Sequence, residues 1–101
     1  MRGAHRTGAG VALQERRREL VDRWIEPNPH YSGPQEARLV DSGVSVWVLI
    51  VHYRLVDGDV ARVAEDYAVP REAVEAALAY YDRYRYLIDA RIALNNAAFT
   101  E

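Results

Sequence analysis

From Arg71 to Glu101 the chain carries neither Gly nor Pro, while Val74, Ala77, Leu78 and Tyr81 fall on one face at helical spacing. The spacing predicts one helix running to about Asn95. At 1.5 Å per residue such a rod would be roughly 40 Å long, more than one small core can cover. The whole chain has 101 residues, room for a single core and not for two. A mainly α fold with a long C-terminal helix is therefore expected, and part of that helix must look outward.

Composition narrows the function. Half the residues are hydrophobic and 28% are charged, the balance of a folded chain. Cys is absent, which removes disulfides, thiol catalysis and thiolate metal sites, and fits a reducing, cytoplasmic location. The longest apolar run, Val44 to Val51, is far short of the roughly 20 residues of a membrane span, and no apolar stretch follows the basic start as a signal peptide would require. Neither a membrane nor a secretory role is expected. Net charge is −2, yet Met1 to Arg23 holds six Arg against three acids, whereas Pro27 to Glu101 holds seven Arg against eleven acids. Every basic side chain apart from His is Arg.

Residues 1–10 read as a flexible basic arm, and 11–101 as a single domain. Val11 to Trp24 carries Leu13, Leu20, Val21 and Trp24 around a charged block and predicts an amphipathic helix. Arg16, Arg17 and Arg18 on it either meet phosphate or form its solvated side. Pro27, Pro29, Gly33 and Pro34 punctuate the next stretch, with Trp24-Ile25 before it and Ala37 to Val40 after it as short strands of one ribbon. Asp41-Ser42-Gly43 is a turn. Val44 to Tyr53 is ambiguous: its β-branched content favours a strand, its length a buried helix with Ser45 as N-cap, which would lie at the centre of the fold. Asp59 predicts the N-cap of a short helix, and Pro70 opens the next.

Val63-Ala64, Tyr67-Ala68-Val69-Pro70, Val74 and Ala77-Leu78 have the spacing of a helix-turn-helix. Ala64 is small enough for a close crossing, Val69 plugs the corner, and Val74 with Leu78 returns the second helix to the core. Residues 44–81 would be the core bundle, and 82–99 a helical extension for protein contacts.

Ala37 to Tyr81 resembles the small antitoxin-type, homeodomain-like family catalogued as domain of unknown function 433. The matching residues are Arg38-Leu39, Ser42-Gly43-Val44, Val46-Trp47, Gly58-Asp59, Val63-Ala64, Asp66-Tyr67, Arg71 to Val74 and Ala76 to Tyr81. The resemblance implies a small N-terminal β-ribbon before a three-helix helix-turn-helix bundle, and so a helix from Ser45 or Val46. It also implies an antitoxin that neutralises a PIN-like ribonuclease and binds its own promoter DNA. The family's Gly-Gly-x-Pro segment survives only loosely, as Ser32-Gly33-Pro34.

On this reading Arg71, Glu72 and Glu75 face bases, while Arg16, Arg17, Arg18 and Arg62 hold phosphates. One Arg against two Glu is poor for phosphate neighbours. Four of the seven Tyr lie between Tyr80 and Tyr86, too many for one small core, so Tyr80, Tyr84, Leu87, Ile88, Ile92 and Phe99 are expected at a partner, either a second copy in a homodimer or the ribonuclease, unless the helix folds back over the ribbon and the N-terminal helix and buries them within the chain. The alternative is a helical interaction module that binds no nucleic acid. Catalysis is not expected: His5, His30 and His52 are scattered, no Gly-x-Ser-x-Gly elbow or phosphate-cradling Gly loop occurs, and no metal or cofactor set is recognisable.

Overall fold

A computed structural model of the chain describes residues 2–100, with side chains described for 10–98. Helix α1 (Arg2–Trp24) leads into strand β1 (Ile25–Glu26), a loop, one 3-10 turn (Pro34–Glu36) and strand β2 (Arg38–Leu39), after which come α2 (Val46–Leu55), α3 (Val60–Tyr67), α4 (Arg71–Arg83) and α5 (Arg85–Thr100). The fold is thus mainly helical with a small antiparallel ribbon. α1 starts well before Val11, so helical backbone also covers the stretch read as an arm.

The ribbon pairs Ile25 with Leu39 and Glu26 with Arg38. Arg38 Nε donates to Glu26 Oε2 at 2.7 Å across it. The chain then reverses at Asp41-Ser42-Gly43, where Gly43 takes φ 73° and its N–H reaches Leu39 O at 3.0 Å, a left-handed geometry that suits Gly. Val44 to Tyr53 is helical after all. Val46, Leu49 and Ile50, at i, i+3 and i+4, are buried on one face of α2, which outweighs the β preference of the individual residues. Ser45 occupies the N-cap but its side chain makes no capping bond. The Val46 N–H is instead satisfied by Ala37 O at 3.0 Å, so the ribbon does the capping.

α2 ends at Leu55 with Val56 as its cap, and the turn beyond it closes at Gly58, whose φ is 78° and whose N–H bonds Tyr53 O at 2.8 Å. Asp59 Oδ1 accepts from the Arg62 N–H at 3.1 Å and caps α3 as predicted. Pro70 sits one residue earlier than expected, as the N-cap of α4 rather than its first helical residue.

α4, rather than α2, is the helix that every other helix touches. Ala73, Val74, Ala76, Ala77 and Tyr80 are buried on it, and the small Ala side chains allow close approach from two sides. α1 lies along one side, α2 and α3 along another.

The single long C-terminal helix is corrected by the structure. The chain breaks at Tyr84 (φ −120°, ψ 35°), and α5 folds back against α2 and the Pro34–Glu36 turn. The break needs no Gly or Pro because burial of Ile88 and Ile92 outweighs the helical bonds lost at one residue. Polar contacts fix the returning helix: Arg91 Nε donates to Glu36 Oε2 at 2.8 Å, and Arg54 Nη2 on α2 donates to Asp89 Oδ1 at 3.0 Å.

Candidate nucleic-acid interface

The corner between α3 and α4 is compact. Ala68 takes the left-handed conformation that ends α3, Val69 N–H bonds back to Ala64 O at 3.0 Å, and Val63, Ala64 and Val74 are buried beneath it. Arg71, Glu72 and Glu75 are exposed at the start of α4. None of the three has a side-chain hydrogen-bond or ion-pair partner among the described residues. At 100° per residue Arg71, Glu75 and Asp82 share one ridge of α4.

The basic block of α1 runs beside that ridge. Arg16 and Arg17 line a shallow groove with Leu13, Leu20, Glu75 and Ala79, and Arg16 lines a second with Glu19, Arg23 and Glu72. Arg17 pairs with Asp82 and clips α1 to α4; Arg85 reaches the same carboxylate at 3.1 Å. Arg16 and Arg18 are exposed and keep their guanidinium groups unpaired among the described residues.

Arg62 belongs to a different cluster. Its Nε donates to both Asp66 oxygens, at 3.0 and 3.1 Å, and Asp66 also meets His52 Nε2 of α2 at 2.7 Å. The hydrogen bond from His52, with Arg62 next, holds the Asp66 carboxyl below its ordinary value, and Asp66 in turn raises Arg62. Of the four Arg expected on phosphate, Arg17 and Arg62 are thus engaged by carboxylates of the chain itself.

The residues expected at a partner divide in two. Tyr80, Ile88 and Ile92 are core residues of this chain, a correction that follows from the back-folding of α5. Burial pushes the Tyr80 phenol up to about 12, and its O–H donates to Pro34 O at 2.9 Å. Tyr84 is half-buried against the Tyr80 ring, centroids 4.8 Å apart. Leu87 remains exposed. The side chain of Phe99 lies outside the described residues.

Sequence reasoning missed the hub that ties α2, α4 and α5 together. Tyr81 O–H donates to Asp89 Oδ1 at 2.7 Å, and Arg54 Nη2 donates to the Tyr81 oxygen at 2.8 Å. The Tyr81 bond, followed by Arg54, lowers the Asp89 carboxyl. No spacing rule relates Arg54 to Asp89, 35 residues apart. A cleft of about 640 Å³ also went unread; Val21, Ile25, Pro27, Pro34 and Tyr80 line it with Asp22 and Glu26. Among the described residues no helix is long and apolar enough to cross a membrane. No protein-family model, no curated protein and no solved structure matches the chain.

Proposed function

We propose that the chain is a DNA-binding antitoxin of the helix-turn-helix kind, with α3 and α4 as the motif and α4 as the helix that enters the major groove. The observation that carries this is the corner itself: a left-handed Ala68, a buried Ala64 and Val69 closing onto Ala64 leave Arg71, Glu72 and Glu75 projecting without partners among the described residues. Arg71 can donate to a guanine edge, and a Glu can accept from a cytosine amino group. Arg16 and Arg18, exposed on the neighbouring α1 and unpaired among the described residues, are the phosphate contacts nearest that helix. Arg62 reaches phosphate only by sharing its guanidinium with Asp66. The role as antitoxin to a PIN-like ribonuclease draws on the family resemblance and is separable from DNA binding.

The experiment is a titration of duplex from upstream of the chain's own gene against wild type and Arg71→Ala, in about 50 mM salt where phosphate contacts are strongest. A selective loss of affinity for that duplex is expected. Equal affinity of the two proteins for upstream and random duplex removes the groove-reading role. Co-purification with the product of the adjacent reading frame tests the ribonuclease partner separately. A second reading, an interaction module without nucleic acid, is favoured by the three acids Glu72, Glu75 and Asp82 on α4; no DNA binding at low salt would leave that reading alone.

A further inference from the structure

The outer face of α5 is an exposed apolar surface. Between residues 86 and 98 the exposed positions are Tyr86, Leu87, Ala90, Ala93, Leu94, Asn96, Ala97 and Ala98, so a single amide is the only side chain there with strong hydrogen-bonding groups apart from the Tyr hydroxyl, and no charge appears. Tyr86 is 88% exposed and Leu94 67%. Seven apolar residues on the open side of one helix contrast with its buried side, where Ile88 and Ile92 already serve the core. The nearby charges are spoken for inside the chain: Asp89 by Arg54 and Tyr81, Arg91 by Glu36, Arg85 by Asp82.

We infer that this face pairs two copies of the chain, α5 against α5 in antiparallel orientation about a two-fold axis near Ile92 and Ala93. The pattern is self-complementary under reversal. Antiparallel alignment sets Tyr86 opposite Ala98 and Ala90 opposite Leu94, a large side chain against a small one at each level, which is how facing helices interdigitate. A two-fold pair uses the same patch twice and closes on itself. Reversal also brings the positive end of each helix dipole beside the negative end of the other. The face spans about 20 Å. With a Tyr able to bury roughly 150–250 Å² and two Leu beside it, each copy contributes on the order of 500 Å², and a pair reaches the roughly 1,000 Å² that a specific interface needs. Other occupants fit worse. DNA would need cations on the face, a membrane surface favours Lys and Arg along its flank, and a charged protein finds nothing here to pair with. The inference stands independently of the DNA reading.

The test is the mass of the purified full chain by sedimentation equilibrium from 1 to 100 µM, concentrations chosen to bracket ordinary dimer affinities at roughly the micromolar level. A dimer is expected. Leu94→Glu should weaken it about tenfold or more with an unchanged helical spectrum, whereas Leu55→Glu, at an exposed residue of α2, should leave it intact. Ala90→Leu should weaken the dimer by crowding Leu94, and Ala90→Leu with Leu94→Ala should restore it. A monomer at every concentration overturns the inference, as does a dimer that Leu94→Glu leaves unchanged or one that Leu55→Glu abolishes. A chain that stays monomeric yet binds the adjacent-frame product through Leu94 also overturns it, in favour of a heterologous partner.

Discussion

The guanidinium of Arg91 lies 4.5 Å over the ring of Trp47. The same group donates to Glu36 at 2.8 Å, so one side chain of α5 grips both α2 and the Pro34–Glu36 turn. Arg91→Ala should remove a cation–π contact and a half-buried ion pair together and cost about 1–3 kcal/mol. Urea denaturation followed by circular dichroism measures it; a loss below about 0.5 kcal/mol, the ordinary range of a surface change, would show that the grip is incidental.

Ile88 and Leu94 both lie on α5 but differ in burial, at 0% and 67% exposure. Ile88→Ala should cost about 2–5 kcal/mol by opening the core. Leu94→Ala should change the stability of the folded monomer by less than about 0.5 kcal/mol. Thermal melts at micromolar or lower concentration distinguish the two, and equal losses would contradict the orientation of α5.

Asp66 and Asp89 set the acid limb of stability. Both carboxyls are held below their ordinary value of 3.8 in the folded chain. The stabilisation is therefore complete above the unfolded pKa and is lost as pH falls below it through the folded values. Denaturation midpoints taken from pH 6 to pH 2 should fall more gently for Asp66→Asn with Asp89→Asn than for wild type. Parallel curves for the two proteins would mean that these pairs carry no pH linkage.

The Arg block of α1 predicts an uneven salt response in DNA binding. Arg16→Ala and Arg18→Ala should each lower the slope of log affinity against log salt by about 1, and Arg17→Ala by less because Asp82 already holds it. Fluorescence anisotropy at several salt concentrations gives the slopes. An effect of Arg17 equal to that of Arg16 would mean that the Asp82 clip opens on DNA.

Features set by neighbouring residues were legible in the sequence. Asp59 caps α3 and Asp41-Ser42-Gly43 turns because each depends on backbone and side-chain preferences within a few positions, and the strands around Ile25 and Leu39 were marked by the Pro and Gly residues that punctuate the stretch between them. The helix over Val46–Leu55 was ambiguous by periodicity and followed from the family resemblance. The break at Tyr84 was not legible. It arises from Ile88 and Ile92 finding a core that Leu49, Ile50 and the ribbon build from elsewhere in the chain, and no local residue announces it. For the same reason Tyr80, Ile88 and Ile92 looked like partner residues and are core. On the candidate interface, the exposure of Arg71, Glu72 and Glu75 followed from their helical register, whereas the capture of Arg17 by Asp82 depends on how α1 lies on α4.

A corner made without a breaker is held open only from outside. Nothing in the residues around Tyr84 resists a continuous helix, so the bend persists through the burial of Ile88 and Ile92 and the tethers of Arg54 to Asp89 and of Arg91 to Glu36 and Trp47. Removing these anchors together, in Ile88→Ala with Ile92→Ala, Arg54→Ala and Arg91→Ala, should let α4 and α5 straighten into a single rod. Far-ultraviolet circular dichroism would barely register the change, because the number of helical residues stays nearly constant. Small-angle scattering would, as the radius of gyration, 15.1 Å over the Cα atoms of the folded chain, grows with the unhinged arm.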